Sequence, residues 1–259
     1  MTDKTDTTGT TGTSGTTGTS GAGRVLWVTG AGSGMGRAAA VAAAPHRRIA
    51  LSGRRRERLE ETAELVARAG GEPLVLPLDA RDAGAVGAAH ARIAATWDGV
   101  DDLVLSAGVN TPRRTWADQS LAELEDVIST NLVAVARLVD AALPDLRRRG
   151  GGQVVVVSSY SAWRFTPYAG VAYSASKSAL ASLCQTINAQ EATHGVRACH
   201  LCPGDVDSDF LELRPVVPPA EARAAMLTPD DVARSVLFVL DAPTHVRIDE
   251  LVISPLSQA

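Results

Sequence analysis

The chain alternates between short runs of β-branched and other apolar residues and longer segments whose apolar residues recur with helical spacing. The apolar runs lie at 25–29, 49–52, 74–78, 103–106, 154–158, 196–202 and 251–253, and the helical patterns lie at 35–44, 55–69, 83–96, 121–149, 172–192 and 229–240. Strands that are apolar throughout and separated by helices indicate a parallel sheet covered on both faces. Right-handed crossovers then predict an α/β fold with a single doubly wound, Rossmann-like sheet of about seven strands and helices on both faces.

Residues 1–23 differ in composition from the rest of the chain. Ten Thr, six Gly and two Ser account for 18 of these 23 residues. So little apolar surface cannot offset the entropy lost on ordering, which predicts a disordered Thr/Gly-rich tail. The tail also lacks the apolar stretch of a signal peptide. No linker-like stretch interrupts residues 24–259, which we expect to form one domain.

The overall composition excludes several classes of protein. The longest apolar runs fall short of the roughly 20 residues of a membrane helix, and a net charge of −4 argues against a nucleic-acid-binding protein. The cysteines Cys184, Cys199 and Cys202 do not form a disulfide framework. Cys199 and Cys202 lie three apart on a predicted strand, so their side chains point to opposite faces, and we expect buried packing without a metal. A reducing, cytoplasmic location is the expectation.

A glycine-rich loop, Gly30-Ala-Gly-Ser-Gly-Met-Gly36, joins the first predicted strand to the first predicted helix. Glycines let the backbone turn sharply and approach a pyrophosphate, and the following helix presents free N–H groups and partial positive charge to it. The spacing departs from G-x-G-x-x-G, and an ordinary strand–helix turn is the alternative. Placement after the first strand favours a dinucleotide site.

An arginine cluster follows the second predicted strand. Gly53 stands where an Asp would bind a ribose 2′-hydroxyl and favour NAD. Arg54 and Arg55 suit a 2′-phosphate instead, through charge-assisted and often bidentate hydrogen bonds. We therefore expect NADP(H) rather than NAD(H), with a solvated helix face as the alternative reading of these arginines.

Tyr173 and Lys177 lie four residues apart in a predicted helix, so their side chains share one face. A nearby ammonium lowers the pKa of a phenol from its usual value of about 10, which suits it to donate or accept a proton. The chain has 23 Arg but only two Lys, Lys4 and Lys177. A compact ammonium can serve both a phenol and a ribose, which a rigid guanidinium would do poorly. An incidental surface pair is the alternative.

These motifs together resemble the short-chain dehydrogenase/reductase family over about residues 24–258. The resemblance rests on Thr29–Gly36, Asp79, Ser106-Ala107-Gly108, Asn131, Ser158-Ser159, Tyr173-x-x-x-Lys177 and Pro203-Gly204, in that order. It implies a catalytic domain that interconverts a carbonyl and an alcohol by hydride transfer with NADP(H).

The resemblance also implies residue roles. Ser159 would position the substrate oxygen, and Tyr173 would exchange a proton with it. Lys177 would tune Tyr173 and hold the nicotinamide ribose, and Asn131 would anchor a water that links Lys177 to solvent. The implied cofactor-binding residues are Gly30, Ser33, Gly34, Met35, Gly36, Arg54, Arg55, Asp79, Ala80, Ser106, Ala107, Gly108, Tyr173, Lys177, Pro203, Gly204, Val206 and Ser208.

Three departures from the family pattern leave alternatives open. Ser106 replaces the usual Asn of the fourth-strand motif. Ser159 precedes Tyr173 by 14 residues, one more than usual, so Ser158 or Ser161 could be the catalytic serine. The ending Val246–Gln258, together with Pro167-Tyr-Ala-Gly170, resembles the NADP-dependent 3-hydroxy-acid and serine dehydrogenase subgroup.

The expected substrate is a small or medium aliphatic ketone, aldehyde or hydroxy acid. The loop at 205–227 would cover it, and Arg214 could bind a carboxylate or face water. Apolar residues on more than one face of the segments 121–149 and 172–192, and the family resemblance, imply a homotetramer or homodimer. A non-catalytic dinucleotide-binding sensor and a lyase or epimerase are the functional alternatives. The catalytic set argues against the first, and the chain length against the second.

Overall fold

The computed structural model describes residues 23–258, so the predicted disordered tail, apart from Gly23, lies outside the described residues. Seven parallel strands form one sheet: β1 Arg24–Thr29, β2 Arg47–Gly53, β3 Glu72–Pro77, β4 Asp102–Leu105, β5 Gly152–Val157, β6 Val196–Pro203 and β7 Glu250–Ile253. Their spatial order is β3-β2-β1-β4-β5-β6-β7. The order reverses between β1 and β4, as in a doubly wound sheet, and this confirms the predicted fold class.

Helices connect the strands and cover both faces of the sheet. They are α1 Gly34–Ala43, α2 Arg56–Arg68, α3 Ala83–Trp97, α4 Leu121–Ile128, α5 Ala134–Arg148, α6 Tyr160–Trp163, α7 Val171–Gln190, α8 Ala220–Arg223 and α9 Pro229–Leu240. Buried residues of α3, α5 and α7 pack on one face of the sheet, and those of α1, α2 and α9 pack on the other.

The alternation of side chains along the strands divides the core into two layers. In β1, Val25 and Trp27 belong to one layer, and Leu26 and Val28 belong to the other. The indole N–H of Trp27 donates to the Ser52 hydroxyl at 2.8 Å, which satisfies a polar group that burial would otherwise leave unpaired. The central strands β1, β4 and β5 therefore read as largely apolar runs, because both of their faces are buried.

Local sequence sets where α9 begins. Thr228 accepts from the backbone N–H of Asp231, and the Asp231 carboxylate accepts from the Thr228 N–H, which forms a reciprocal cap. Pro229 occupies the first helical position, where a missing N–H costs nothing. These signals explain why the predicted and observed bounds of this helix agree.

The predicted helix at 121–149 is one continuous stretch with a wider π-type turn at Ser129–Val133 between α4 and α5. Leu121–Arg148 is long and apolar enough, by length and composition, to cross a membrane. In this fold it packs against one face of the sheet, because Val135, Leu138 and Leu146 are buried in the same core layer as Trp27.

Candidate active site

A crevice opens at the carboxyl ends of the strands, where ligands bind in doubly wound sheets. It consists of two adjoining cavities of about 220 and 570 Å³. Five residues line both of them: Met35, Ser106, Gly108, Ser208 and Phe210. A long ligand could therefore extend from the first cavity into the second.

The glycine-rich loop forms the floor of the first cavity, and two of its glycines are required by geometry. Gly30 adopts φ +66°, and a Cβ there would lie 2.8 Å from the backbone nitrogen of Ala107. A Cβ on Gly36 would overlap the carbonyl oxygen of Gly30. Gly36 thus packs beneath the loop and does not line the cavity, unlike the other residues proposed for the loop.

The amino end of α1 faces the first cavity. Ser33 precedes the helix in extended conformation, and Ser33, Gly34 and Met35 line the cavity. The first N–H groups of a helix have no partner within the helix, and the first turn of α1 carries no acidic residue. This end of the helix is therefore suited to an anion such as a pyrophosphate.

Arg54 and Arg55 follow β2 and line the first cavity. Both are exposed, and neither forms an ion pair with any residue in the part of the chain that the structure describes. The neighbouring Arg56 instead pairs with Glu60 at 3.6 Å on the outer face of α2 and does not line the cavity. Arg54 and Arg55 are thus placed to bind an added phosphate.

Asp79 and Ala80, at the end of β3, line the same cavity, and Arg81 lies beside them. The Arg81 guanidinium donates to both carboxylate oxygens of Asp79, at 3.1 and 2.7 Å, and this holds the pKa of Asp79 below its usual value. Arg81 also lines the cavity and was not among the residues predicted from the sequence. Its position two residues after the Asp79 motif is the signal that could have indicated it.

The second cavity brings together Ser159, Tyr173 and Lys177, and it is also lined by Pro203, Gly204, Val206 and Ser208. Ser159 immediately precedes the short helix α6, while Tyr173 and Lys177 lie one turn apart on α7. The Lys177 ammonium lies 5.9 Å from the centre of the Tyr173 ring and donates to the Val157 carbonyl oxygen at 2.9 Å. Residues predicted from separate parts of the sequence therefore share one wall.

The electrostatics of Tyr173 differ from the sequence expectation. Burial raises the pKa of Tyr173 above its usual value, and the groups that oppose this are the Ser159 hydroxyl and the charges of Arg114 and Arg214. Burial lowers the pKa of Lys177 to about 8. The expectation that Lys177 makes the phenol acidic was thus wrong, because desolvation outweighs the other influences at both residues.

The three candidate serines make different contacts. The Ser158 hydroxyl is buried and donates to the Lys177 carbonyl oxygen at 3.1 Å. The Ser161 hydroxyl donates to the Ser159 oxygen at 3.1 Å, and the Ser161 N–H donates to it at 3.2 Å. Of the three serines, Ser159 is the one whose hydroxyl lowers the pKa of Tyr173, and Ser161 donates to Ser159 through both its hydroxyl and its N–H.

Asn131 lies behind the cavity wall, in the π-type turn, and is fully buried. Its amide accepts from the Val109 N–H at 2.8 Å and donates to the Val109 carbonyl at 2.9 Å and to Ser176 at 3.2 Å. A Cβ on Gly108 would lie 3.4 Å from both Asn131 Oδ1 and the Lys177 nitrogen. Asn131 thus ties the loop after β4 to α7, close to Lys177.

Charged and polar residues that the sequence analysis missed also line the second cavity. Arg114 enters from the loop after β4, and Gln258, near the end of the chain, accepts from the Asp205 N–H at 2.8 Å. Arg214, which was expected to bind a carboxylate or face water, is ion-paired with Asp205 at 2.5 Å. Arg114 follows the Ser106-Ala-Gly108 motif by six residues, a position that could have indicated it.

The buried Cys202 has polar neighbours that the cysteine pattern did not predict. Its sulfur lies 3.3 Å from His200 Nδ1, which in turn lies 3.0 Å from a Glu250 carboxylate oxygen. These three groups are close enough to hold a metal ion, although the distances are also those of a hydrogen-bonded chain. Cys199 is buried in the core layer that also contains Val28 and Leu201.

Comparisons with known proteins agree on one family. The short chain dehydrogenase family model matches residues 24–215. An uncharacterised oxidoreductase of Staphylococcus aureus strain MW2 is 28% identical over 236 residues, which is 90% of this chain and 97% of that protein.

Solved structures give the same result. An alcohol dehydrogenase from the archaeon Thermococcus sibiricus, complexed with 5-hydroxy-NADP, is 32% identical with a TM-score of 0.82, covering 91% of this chain and 98% of that one. The closed form of a serine dehydrogenase complexed with NADP+ is 26% identical with a TM-score of 0.81, covering 91% and 96%. A short chain dehydrogenase from Mycobacterium paratuberculosis is bound to NAD instead; it is 25% identical with a TM-score of 0.78, covering 90% and 97%.

Proposed function

The chain belongs to the short-chain dehydrogenase family of oxidoreductases, and from this premise we propose that it is an NADP(H)-dependent enzyme interconverting a carbonyl and an alcohol. The observation that carries the proposal is the meeting of Ser159 and Tyr173 in one cavity, with Lys177 beside them. The catalytic domain would comprise residues 24–259. The substrate would be a small or medium aliphatic ketone, aldehyde or hydroxy acid.

The residues of the first cavity fit a dinucleotide. The glycine loop leaves room for a close approach, the amino end of α1 suits a pyrophosphate, and the arginines after β2 suit a 2′-phosphate. When bound, NADPH supplies the hydride that the carbonyl carbon of the substrate takes up. The 2′-phosphate would distinguish NADP(H) from NAD(H) through Arg54 and Arg55.

The chain's own groups would manage the proton. The Ser159 hydroxyl orients the substrate oxygen, and the Tyr173 hydroxyl gives that oxygen its proton in reduction and removes it in oxidation. Lys177, buried near Tyr173, holds the ribose and restores the proton of the phenol. Asn131 acts as a positioning residue, because it fixes the backbone at Val109 and anchors the water through which Lys177 would exchange protons with solvent.

The test follows NADPH absorbance with a panel of ketones, aldehydes and hydroxy acids. We expect Tyr173→Phe to lower kcat by about 10²- to 10⁴-fold, the usual contribution of a general acid. NADPH binding and the melting temperature should stay close to wild type. Ser174→Ala, one residue along the same helix, is the matched control for backbone effects. No turnover by the wild type, or equal rates in Tyr173→Phe, would reject the proposal.

The cofactor preference has its own control. Arg54→Asp should raise the KM for NADPH relative to NADH by about 10- to 100-fold, since a charge-assisted hydrogen bond contributes about 1.5–3 kcal/mol. Arg56→Asp makes the same charge change two residues away, at a residue paired with Glu60, and should leave the preference unchanged. Equal effects of the two substitutions would refute the assignment of Arg54.

A non-catalytic dinucleotide-binding sensor is the second function to test, and it would bind NADPH with no turnover across the whole panel. A lyase or epimerase would instead release product without net oxidation of NADPH. The presence of Ser159, Tyr173 and Lys177 in one cavity favours the oxidoreductase, because a sensor has no need of a proton donor there.

We also propose a homotetramer, or a homodimer, in the cytoplasm, acting on small molecules without nucleic acid or membrane. Exposed apolar residues lie on the segment 121–148, one of the two that would form the contacts: Leu121 is 72% exposed and Val133 38%. Apolar side chains of this size are commonly covered by a partner subunit. Light scattering that gave the mass of a single chain would overturn this assembly.

A further inference from the structure

Two arginines line the cavity that contains Tyr173, but their charges are balanced differently. Arg214 is ion-paired with Asp205, at 2.5 Å between Nη2 and Oδ1. Arg114 comes from the loop between β4 and α4, and it forms no ion pair with any residue in the range 23–258. The cavity therefore holds one guanidinium whose charge is not matched by a carboxylate.

Neutral groups hold Arg114 in place. Its Nε donates to the Thr111 carbonyl oxygen at 2.9 Å. One terminal nitrogen donates to the Tyr168 carbonyl oxygen at 3.2 Å, and the other donates to the Leu213 carbonyl oxygen at 2.8 Å. The three acceptors belong to three different segments of the chain. They use three of the five N–H groups of a guanidinium and leave one free on each terminal nitrogen. Such a fork can still bind a carboxylate.

The backbone also ties Arg114 to the helix that carries Tyr173. The Val171 N–H, at the start of α7, donates to the Arg114 carbonyl oxygen at 3.2 Å. Gly170 adopts φ +103°, and a Cβ there would lie only 3.2 Å from Arg114 Cβ and Cγ. The arginine and the tyrosine are therefore held in a fixed relation, as a substrate-orienting residue requires.

The surroundings of Arg114 disfavour a charge that has no carboxylate partner. Burial and the nearby charge of Arg214 both lower the pKa of Arg114. A partly buried charge is stabilised when an opposite charge joins it, and guanidinium–carboxylate pairs are among the strongest such contacts. The remaining wall includes Phe210, Leu211 and Val216, which suit a short aliphatic chain.

We propose that Arg114 binds a carboxylate of the substrate, so that the enzyme reduces an oxo acid and oxidises the corresponding hydroxy acid. The inference rests on the function proposed above and narrows its substrate class. The carboxylate would hold the substrate at one end, and the carbonyl oxygen would then face Ser159 and Tyr173. A neutral ketone of the same size lacks this contact and would bind less well.

The test compares oxo acids with their methyl esters, which present the same carbonyl without the charge. Pyruvate, acetoacetate and levulinate, each with its methyl ester, vary the spacing between carboxylate and ketone. We expect the wild type to prefer at least one acid over its ester in kcat/KM by about tenfold or more, the range of a charge-assisted hydrogen bond.

Two variants separate charge from structure. Arg114→Gln should lower kcat/KM for that acid by about 10- to 100-fold while changing the ester by less than about threefold, and Arg114→Lys should recover part of the acid preference. Arg113→Gln is the matched control: Arg113 is exposed, pairs with Glu123 and does not line the cavity. An equal loss for acid and ester in Arg114→Gln, or no preference in the wild type, would overturn the inference.

A binding measurement keeps the inference separate from turnover. Calorimetric titration of the NADP+-loaded protein with lactate, 3-hydroxybutyrate and their methyl esters should show binding of an acid that Arg114→Gln abolishes. If this is seen without turnover, the proposed redox function fails but the carboxylate site stands. If neither hydroxy acid binds and no oxo acid is preferred over its ester, the carboxylate site is rejected.

Discussion

The protonation of Lys177 is open to direct measurement. The side chain is 5% exposed, and its hydrogen-bond acceptor is the neutral Val157 carbonyl. Burial lowers its pKa from 10.5 to about 8. At about 1.4 kcal/mol for each pKa unit, this lowering means that protonated Lys177 costs the folded state about 3–4 kcal/mol.

The sign of the pH dependence follows from where the proton binds more tightly. Between about pH 8 and 10.5, the unfolded chain holds the lysine proton and the folded protein has lost it. The free energy of unfolding therefore rises with pH through this window. The penalty is complete below about pH 8 and absent above about pH 10.5.

The small number of lysines makes the assay simple. Lys4→Arg leaves Lys177 as the single lysine in the chain, so NMR of protein carrying isotope-labelled lysine reports this residue alone. We expect its signal to titrate near pH 8. Lys177→Met provides the second arm: at equal protein concentration, wild type should gain about 2–3 kcal/mol of stability relative to it between about pH 7 and 10. Titration at or above the ordinary lysine value would refute the reasoning.

Three other substitutions test the structure away from Lys177. Gly30→Ala should destabilise the fold by about 2–4 kcal/mol and weaken NADPH binding, because Gly30 has a positive φ and lies close to the backbone of Ala107. Thermal melting and a fluorescence titration with NADPH would detect these two effects. An unchanged melting temperature would contradict the prediction. Asp82→Ala removes the cap of α3 and should cost about 1 kcal/mol in urea unfolding with turnover unchanged. Asp145→Ala leaves the buried Val100 N–H without its acceptor at 3.0 Å and should cost about 2–3 kcal/mol by the same assay; a loss below about 0.5 kcal/mol would mean that water replaces the carboxylate.

The fold could be predicted because apolar residues follow regular spacings along its strands and helices. The central strands β1, β4 and β5 are buried on both faces and read as largely apolar runs. The long helices have apolar residues at helical spacing. The cap at Thr228 even fixed where α9 begins. The π-type turn at Ser129–Val133 was not predictable, since it lies inside an unbroken apolar pattern. In the structure this turn contains Asn131, which accepts a hydrogen bond from the Val109 N–H in the loop after β4.

The sequence motifs predicted residues that the structure brings to one crevice, but they did not predict the electrostatics there. Motif order identified Ser159, Tyr173 and Lys177, but spacing alone could not show which serine faces Tyr173. Nor could it show that burial outweighs charge at the phenol, because desolvation depends on the whole wall around it. Arg114 was not predicted as a site residue because the chain contains many arginines. The contacts of its side chain in the folded structure are what distinguish it from the arginines in ion pairs.

The cavity that contains Tyr173 is lined by two arginines and one lysine, and the two residue types differ in how readily they lose a proton. A guanidinium keeps its charge at every pH at which the protein is folded, so Arg114 and Arg214 act on the phenol of Tyr173 as permanent charges. Lys177 is different, because burial brings its pKa to about 8 and lets it lose a proton under mild conditions. The site therefore combines two fixed cations, of which Arg114 is not paired with a carboxylate in residues 23–258, with one titratable amine. An arginine in place of Lys177 would keep the charge but could not pass a proton to Tyr173.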